Sequence, residues 1–169
     1  MKILYESGTE GCCQETAAVK EMKFENGLLT AEVFSELVPM PEWVKESYYP
    51  YDHLPDVLLS NESGTVQMTF QILEKELSVS ETGTAAERVK ELVGRIYPDS
   101  KISPVRLFRD GGFPVGWFVA EIEEGTERYC HVKGIFSFQK RLCLVTVTYP
   151  ERERSKHEML VKHFFATLH

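Results

Sequence analysis

Hydrophobic and polar positions alternate with a period of two through much of the chain, which predicts a protein built mainly from β-strands. The clearest region is Pro114–Tyr149, where two tight turns separate three strands rich in β-branched and aromatic residues. Apolar side chains fall on both faces of these strands, so both faces of the resulting sheet must be covered. We therefore interpret this meander as the scaffold of the fold.

Two hairpins precede the meander. Residues 17–34 flank Asn26–Gly27, a pair that accepts the positive φ angles of a tight hairpin turn, and we expect this hairpin to be peripheral. The second hairpin joins Val57–Ser60 to Thr65–Leu73. One face of its second strand is apolar, and the other carries a polar stripe that is either solvated or lines a groove, made of Thr65, Gln67, Thr69 and Gln71.

Two helices complete the pattern. Thr84 and Glu87 have the spacing of a capping box, which predicts a helix over Ala85–Tyr97. Its expected apolar stripe is Ala86, Val89, Leu92, Val93 and Ile96. A second helix is predicted from Glu151 to Leu168, and a further strand near Ser103–Arg109. This order predicts an α+β fold in which a central antiparallel β-sheet has a helix on each face, an α/β/α sandwich.

Composition narrows the function. The 169 residues fit one domain, 1–169, whose first 16 residues carry little structural signal. A formal charge of −7 argues against nucleic-acid partners and anionic membrane surfaces, and no apolar run has membrane-spanning length. The four cysteines, Cys12, Cys13, Cys130 and Cys143, lack disulfide or metal-site spacing. We expect a cytoplasmic protein with free thiols and without a metal or cofactor.

Catalytic side chains are not assigned. His131 follows Cys130, but neighbouring residues of a strand point to opposite faces and so do not form a thiol–imidazole pair. Glutamates at 121, 123, 124 and 127 surround the turn at Gly125, where we expect them to be solvated. Paired carboxylates support acid–base chemistry only when burial separates their pKa values.

The segment 39–56 is unusual for a loop because it combines four prolines with four large aromatic residues. Its prolines exclude a long helix, although a short one over Glu42–Tyr48, after Pro41, is compatible. Rigid aromatic loops make good contact surfaces; alternatively, the rings fold back and seal the edge of the sheet. The predicted binding residues are Trp43, Tyr48, Tyr49, Tyr51 and His53, with Gln67 and Gln71 as polar neighbours.

Several of these local sequences resemble a recurring bacterial pattern of the PsbP-like fold, shared by the photosystem subunit PsbP and a Ran-binding protein of the Mog type. The matching stretches are Tyr49–Pro50, Pro55–Leu59, Asn61–Val66 with Phe70, and Tyr97–Pro98. The pattern departs at Leu54, where arginine is usual. The resemblance covers roughly residues 17–168 and implies the fold. It also implies protein binding, since known members mostly bind proteins, including chaperones for secreted effectors.

We therefore predict a non-enzymatic protein-binding or chaperone-like module whose partner is another protein. Two alternatives stay open. One is an enzyme that acts on a small polar substrate through histidine and carboxylate groups. The other is a carrier with a small apolar ligand between sheet and helix.

Overall fold

The computed structural model describes residues 2–4 and 16–169, with side chains from residue 19 onward. The strands are β1 Lys2–Leu4, β2 Thr16–Phe24, β3 Leu29–Phe34, β4 Val38–Pro39, β5 Val57–Ser60, β6 Gln67–Glu76, β7 Lys101–Ile102, β8 Arg106–Phe108, β9 Val115–Glu124, β10 Glu127–Phe138 and β11 Arg141–Pro150. The helices are α1 Glu42–Tyr48, α2 Thr82–Ile96 and α3 Arg154–Thr167. None of the helices in these ranges is long and apolar enough to span a membrane.

Eight strands form one antiparallel sheet in the order β4-β5-β6-β11-β10-β9-β7, with β8 also paired to β9. The meander predicted from the sequence is the β9–β10–β11 unit at its centre. Because β11 pairs with β6, the second hairpin extends this unit towards the β4 edge. The strand order thus places the polar stripe of β6 beside the last strand of the meander.

The two faces of the sheet are covered differently. Helix α3 and the β2–β3 hairpin enclose the larger apolar core on one face. Helix α2 covers a smaller core on the other face, over β9 and part of β10. The predicted α+β sandwich, with helices on both faces of an antiparallel sheet, is therefore confirmed. The α2 face is covered only in part, and the uncovered part forms the candidate site.

The first hairpin is not peripheral, contrary to the sequence-based expectation. Leu29, Ala31 and Val33 of β3 are almost completely buried against the α3 side of the core. The outer edge of β3 is also paired, since the backbones of Thr30 and His169 exchange hydrogen bonds of 2.8 and 2.9 Å. Strict alternation along β3 gives it one fully apolar face, and α3 buries that face.

Helix α2 begins earlier than predicted. The capping box lies at Ser78 and Glu81, where the Glu81 carboxylate accepts bonds of 3.2 Å from the Ser78 N–H and 2.7 Å from its hydroxyl. A 3₁₀ turn over Val79–Glu81 then leads directly into the helix at Thr82. The earlier box satisfies free backbone donors at the true start of the helix, so the pair at Thr84 and Glu87 is not needed.

The earlier start accompanies a different buried face. Ala86 and Val93 are buried against the sheet as predicted, but Leu92 and Ile96 are 55% and 59% exposed. Two members of the predicted apolar stripe therefore lie outside the core. Helix α2 presents a narrow face of small and β-branched side chains to the sheet, which keeps its coverage of the sheet small.

Candidate functional site

The floor of the candidate site is a patch of polar side chains that the strand register brings together. On the α2 face of the sheet, two rows cross β6, β11 and β10 from strand to strand. The first row is Gln67, Thr148 and His131, and the second is Thr69, Thr146 and Lys133. The next row begins with Gln71 on β6 and becomes apolar at Leu144 and Ile135, where it leads under α2. The floor is thus polar where the helix cover stops.

Walls around this floor form a groove of about 430 Å³, within the usual range for ligand sites. On one side lie the C-terminal end of α1 and the segment that follows it, and on the other lie the end of α2 and the β9–β10 turn. Five tyrosines line the groove: Tyr48, Tyr49, Tyr51, Tyr97 and Tyr129. Among them Tyr51 is 67% exposed and Tyr48 is 45% exposed. The groove therefore presents aromatic surface to solvent above a polar floor.

Tyr49 fixes the aromatic segment to the floor. Its hydroxyl donates to the Gln67 side-chain oxygen at 3.0 Å, and the Gln67 amide donates to the Gly64 carbonyl at 2.9 Å. Burial and the nearby Glu124 carboxylate raise the pKa of Tyr49 to about 12. Gly64 has a φ of +74° and packs against Val44 of α1, which brings that helix close to the β5–β6 turn. These contacts fix the position of the aromatic segment relative to the sheet.

Lys133 places a cation on the floor of the groove. Its ammonium donates to the Thr146 hydroxyl at 3.0 Å. Among the residues whose side chains are described, no carboxylate lies within 4.0 Å of it, and Glu124, the carboxylate that lines the groove, contacts His131. Burial lowers the pKa of Lys133 from 10.5 to about 8, as expected for a charge removed from water without a counter-ion. A positive charge thus lies on the floor without an acidic partner.

His131 connects a hydroxyl and a carboxylate at the end of the groove. Its Nε2 lies 3.0 Å from a Glu124 oxygen, and its Nδ1 lies 3.3 Å from the Thr148 hydroxyl. The three groups come from β10, β9 and β11, which the register places side by side. Glu124, at the end of β9, is exposed as expected from the sequence, whereas Glu121 is half-buried and pairs with Arg154 at 2.7 Å.

The structure brings together five of the seven predicted binding residues. Tyr48, Tyr49 and Tyr51 form one wall, while Gln67 and Gln71 lie on the floor. Trp43 is 52% exposed on α1 but does not line the groove. His53 is likewise exposed and outside it. The aromatic rings therefore neither all fold back into the core nor all contribute to one surface.

The sequence interpretation missed the half of the floor that comes from the meander. Tyr129, His131 and Lys133 alternate with Cys130 and Val132 along β10, and that period-two pattern was the available signal. It indicates a polar face on β10 next to an apolar one. The meander is therefore more than a covered scaffold, because this end of β10 and the neighbouring threonines of β11 line the groove.

The described cysteines form neither a disulfide nor a metal site. Cys130 lies opposite Tyr149 and Cys143 lies opposite Phe136, so the two thiols are not cross-strand neighbours. Both are buried, and burial raises the pKa of Cys130 to about 11 and that of Cys143 to about 12. No group of three or more potential metal ligands occurs within residues 2–4 and 16–169. The pair at 12–13 lies outside the described residues.

A second concavity of about 260 Å³ lies between α2 and the sheet. It is lined by apolar side chains that include Leu73, Val89, Leu142 and Leu144. Its volume is below the roughly 300–1,000 Å³ of typical ligand sites. The alternative function raised by the sequence, a carrier of a small apolar ligand, refers to this concavity between sheet and helix.

Three solved structures share the fold of this chain. Cyanobacterial PsbP from Synechocystis has a TM-score of 0.63 at 10% identity, over 98% of this chain and 97% of that chain. LpqN of Mycobacterium tuberculosis, which is involved in cell envelope biogenesis, has a TM-score of 0.57 at 10% identity, over 89% and 90%. The yeast Ran-binding protein Mog1p has a TM-score of 0.54 at 11% identity, over 90% and 95%.

These similarities establish a PsbP/Mog1-like fold, which the sequence resemblance predicted. At such low identities they show the fold alone, because one fold serves many functions. No protein-family model matches the sequence, and no curated protein matches it. The function must therefore be argued from the groove.

Proposed function

We propose that this chain is a binding module that holds an extended segment of a partner protein in the tyrosine-lined groove. The observation that carries the proposal is the combination of an open polar floor with a wall of exposed tyrosines. Tyrosine and tryptophan dominate binding hot spots because they bury a large area with few rotatable bonds. Tyr48 and Tyr51 are the exposed tyrosines of this wall.

Two further features support a polypeptide ligand. The loop that carries the tyrosines is already ordered by the Tyr49–Gln67–Gly64 bonds, so little conformational entropy is lost when a ligand binds. The yeast protein of the same fold is a Ran-binding protein, which is a distant indication that this fold can serve in protein recognition.

The experiment is a selection of peptides by the full chain, followed by alanine substitution of the wall. An immobilised chain selects from a displayed library of random dodecapeptides, and the affinities of synthetic copies are then measured by isothermal titration. We expect Tyr48→Ala and Tyr51→Ala each to weaken binding at least fivefold, which is typical of hot-spot truncation at 1 kcal/mol or more.

Trp43→Ala is the matched control, because Trp43 is an exposed aromatic residue of α1 that does not line the groove. Binding should be unchanged in this variant. Selected peptides that bind equally well to Tyr51→Ala, or that lose affinity only with Trp43→Ala, would contradict the proposal.

The second candidate function is catalysis in the same groove. The observation that favours catalysis is the line of contacts from the Thr148 hydroxyl through the His131 imidazole to the Glu124 carboxylate. Such an arrangement can activate a nucleophile. It is disfavoured because Glu124 is exposed to solvent, and an exposed contact of this kind is worth little. Hydrolysis of p-nitrophenyl acetate by the wild type that disappears in His131→Gln would favour an enzyme; identical rates would favour the binding module.

A further inference from the structure

We infer that the groove recognises an acidic side chain of the bound segment, and that Lys133 and the threonine hydroxyls beside it form the carboxylate-binding position. This inference rests on the proposed function, because it names the chemistry of the ligand at the same site.

Three hydrogen-bond donors lie close together on the floor of the groove: the Lys133 ammonium and the hydroxyls of Thr146 and Thr69. The Lys133 ammonium donates to Thr146, and the Thr146 hydroxyl proton is consequently free to donate elsewhere. Thr69 is the direct cross-strand neighbour of Thr146 on the same face of the sheet. An ammonium and two hydroxyls therefore lie in one row of the floor. A carboxylate has two oxygens that accept several hydrogen bonds, and such charge-assisted bonds are the strong ones.

Lys133 and Glu124 balance in formal charge, but their separate positions in the groove favour an anion beside Lys133. The charged and titratable lining of the groove consists of Lys133, His131, Glu124 and the five tyrosines. Glu124 contacts His131, which leaves the lysine as the group without a counter-ion among the described residues. An acidic side chain supplies that counter-ion. The chain as a whole has a formal charge of −7, so the attraction is local to the groove and not a property of the whole surface.

Fold stability does not explain a lysine at this position. Its neighbours in the rows are threonine, glutamine and histidine, and an uncharged residue of that kind would meet the hydrogen-bonding needs of the floor. Burial of an unpaired ammonium instead destabilises the fold. A ligand that pairs with the charge removes this penalty in the complex.

The test uses a displayed library in which the random dodecapeptide is internal to the displayed chain and offers no free terminal carboxylate. We expect wild-type protein to enrich peptides with an aspartate or glutamate at a fixed position. In synthetic amidated copies, the change of that residue to asparagine or glutamine should weaken binding at least tenfold. On Lys133→Met the same change should have no effect, and Lys133→Gln should behave in the same way.

A second readout separates recognition from a merely structural role. Affinity for the acidic peptide should fall between pH 7 and pH 9, because Lys133 loses its proton with a pKa of about 8, whereas affinity for the amide version should change little. The variant Lys133→Met should lose this pH response, which assigns the response to the lysine.

Two outcomes are distinguishable. Peptides that depend on Tyr51 but tolerate the loss of their carboxylate would overturn this inference and leave the proposed binding function intact. Peptides that depend on neither Tyr51 nor Lys133 would overturn both.

Discussion

Replacement of Lys133 by methionine should stabilise the protein at neutral pH. Methionine has a similar length and no charge, so it can occupy the same space without a buried ammonium. Burial lowers the pKa of Lys133 from 10.5 to about 8. Below pH 8 the lysine is protonated in both the folded and the unfolded chain, and the full penalty for burying the charge is present.

The magnitude follows from the two pKa values. Their difference corresponds to about 3 kcal/mol at pH 7. The variant also loses the 3.0 Å hydrogen bond to Thr146, worth about 1 kcal/mol. We therefore expect a net gain of about 2 kcal/mol in the free energy of unfolding. Between pH 8 and pH 10.5 the unfolded chain binds the proton and the folded chain does not, so wild-type stability rises with pH and the advantage of the variant shrinks.

The assay is urea denaturation of both proteins at pH 7.0 and pH 9.5. The linkage relation predicts that the advantage of Lys133→Met falls by about 2 kcal/mol between these pH values, to near zero. Lys75→Met is the control, because Lys75 is an exposed lysine on a strand of the same sheet, and its effect should be small at both pH values. A Lys133→Met variant that is less stable than wild type at pH 7, or whose advantage does not depend on pH, would refute the reasoning.

Two further predictions concern backbone conformation and the buried thiols. Gly64→Ala should lower the free energy of unfolding by roughly 2 kcal/mol or more, because an added methyl group meets strain at φ +74° and a side chain of α1 at 3.0 Å. Gly125 has a φ of +66° and no atom within 4 Å of an added methyl group, so Gly125→Ala should lower the free energy of unfolding only by the backbone strain. Equal losses in the two variants would contradict the argument that the contact with α1 matters. With residues 12–13 changed to serine, Cys130 and Cys143 should react with a disulfide reagent at pH 8 at least 100-fold more slowly than after unfolding.

The elements with strong local signals could be predicted from the sequence. Helix α1 has the predicted bounds Glu42–Tyr48, since Pro41 and Pro50 limit it on both sides. The first hairpin turns at the predicted Asn26 and Gly27, whose φ values are 55° and 84°. The turn is longer than two residues, because Glu25 also has a positive φ and the strands close at Phe24 and Leu29. Helix α3 was also predicted, but it begins at Arg154 and not at Glu151, after a 3₁₀ turn over Glu151–Glu153.

Predictions failed where two local signals competed or where distant strands had to be aligned. At the start of α2, the sequence offers two capping boxes of the same type. The structure uses the one at Ser78 and Glu81, and the prediction chose the later one at Thr84 and Glu87. For the groove, Gln67 and His131 share a row only because β6 and β10 both pair with β11 in a particular register. Register depends on the whole sheet, and a shift by one residue would move every side chain to the opposite face. The cytoplasmic location and the single-domain organisation stay predictions.

The floor of the groove is polar, and helix α2 covers only part of the sheet face, for the same physical reason. A helix packed over Thr69, Thr146 and Lys133 would bury hydroxyls and an ammonium without enough partners, at a cost of a few kcal/mol for each unpaired group. Helix α2 therefore packs on the apolar part of the face, over Phe118 and Ile135, and the rest of the sheet stays open. The aromatic segment after α1 borders this opening without filling it. A ligand that supplies hydrogen bonds and a negative charge can complete the layer that no element of the described chain completes, which is why the proposed function is located there.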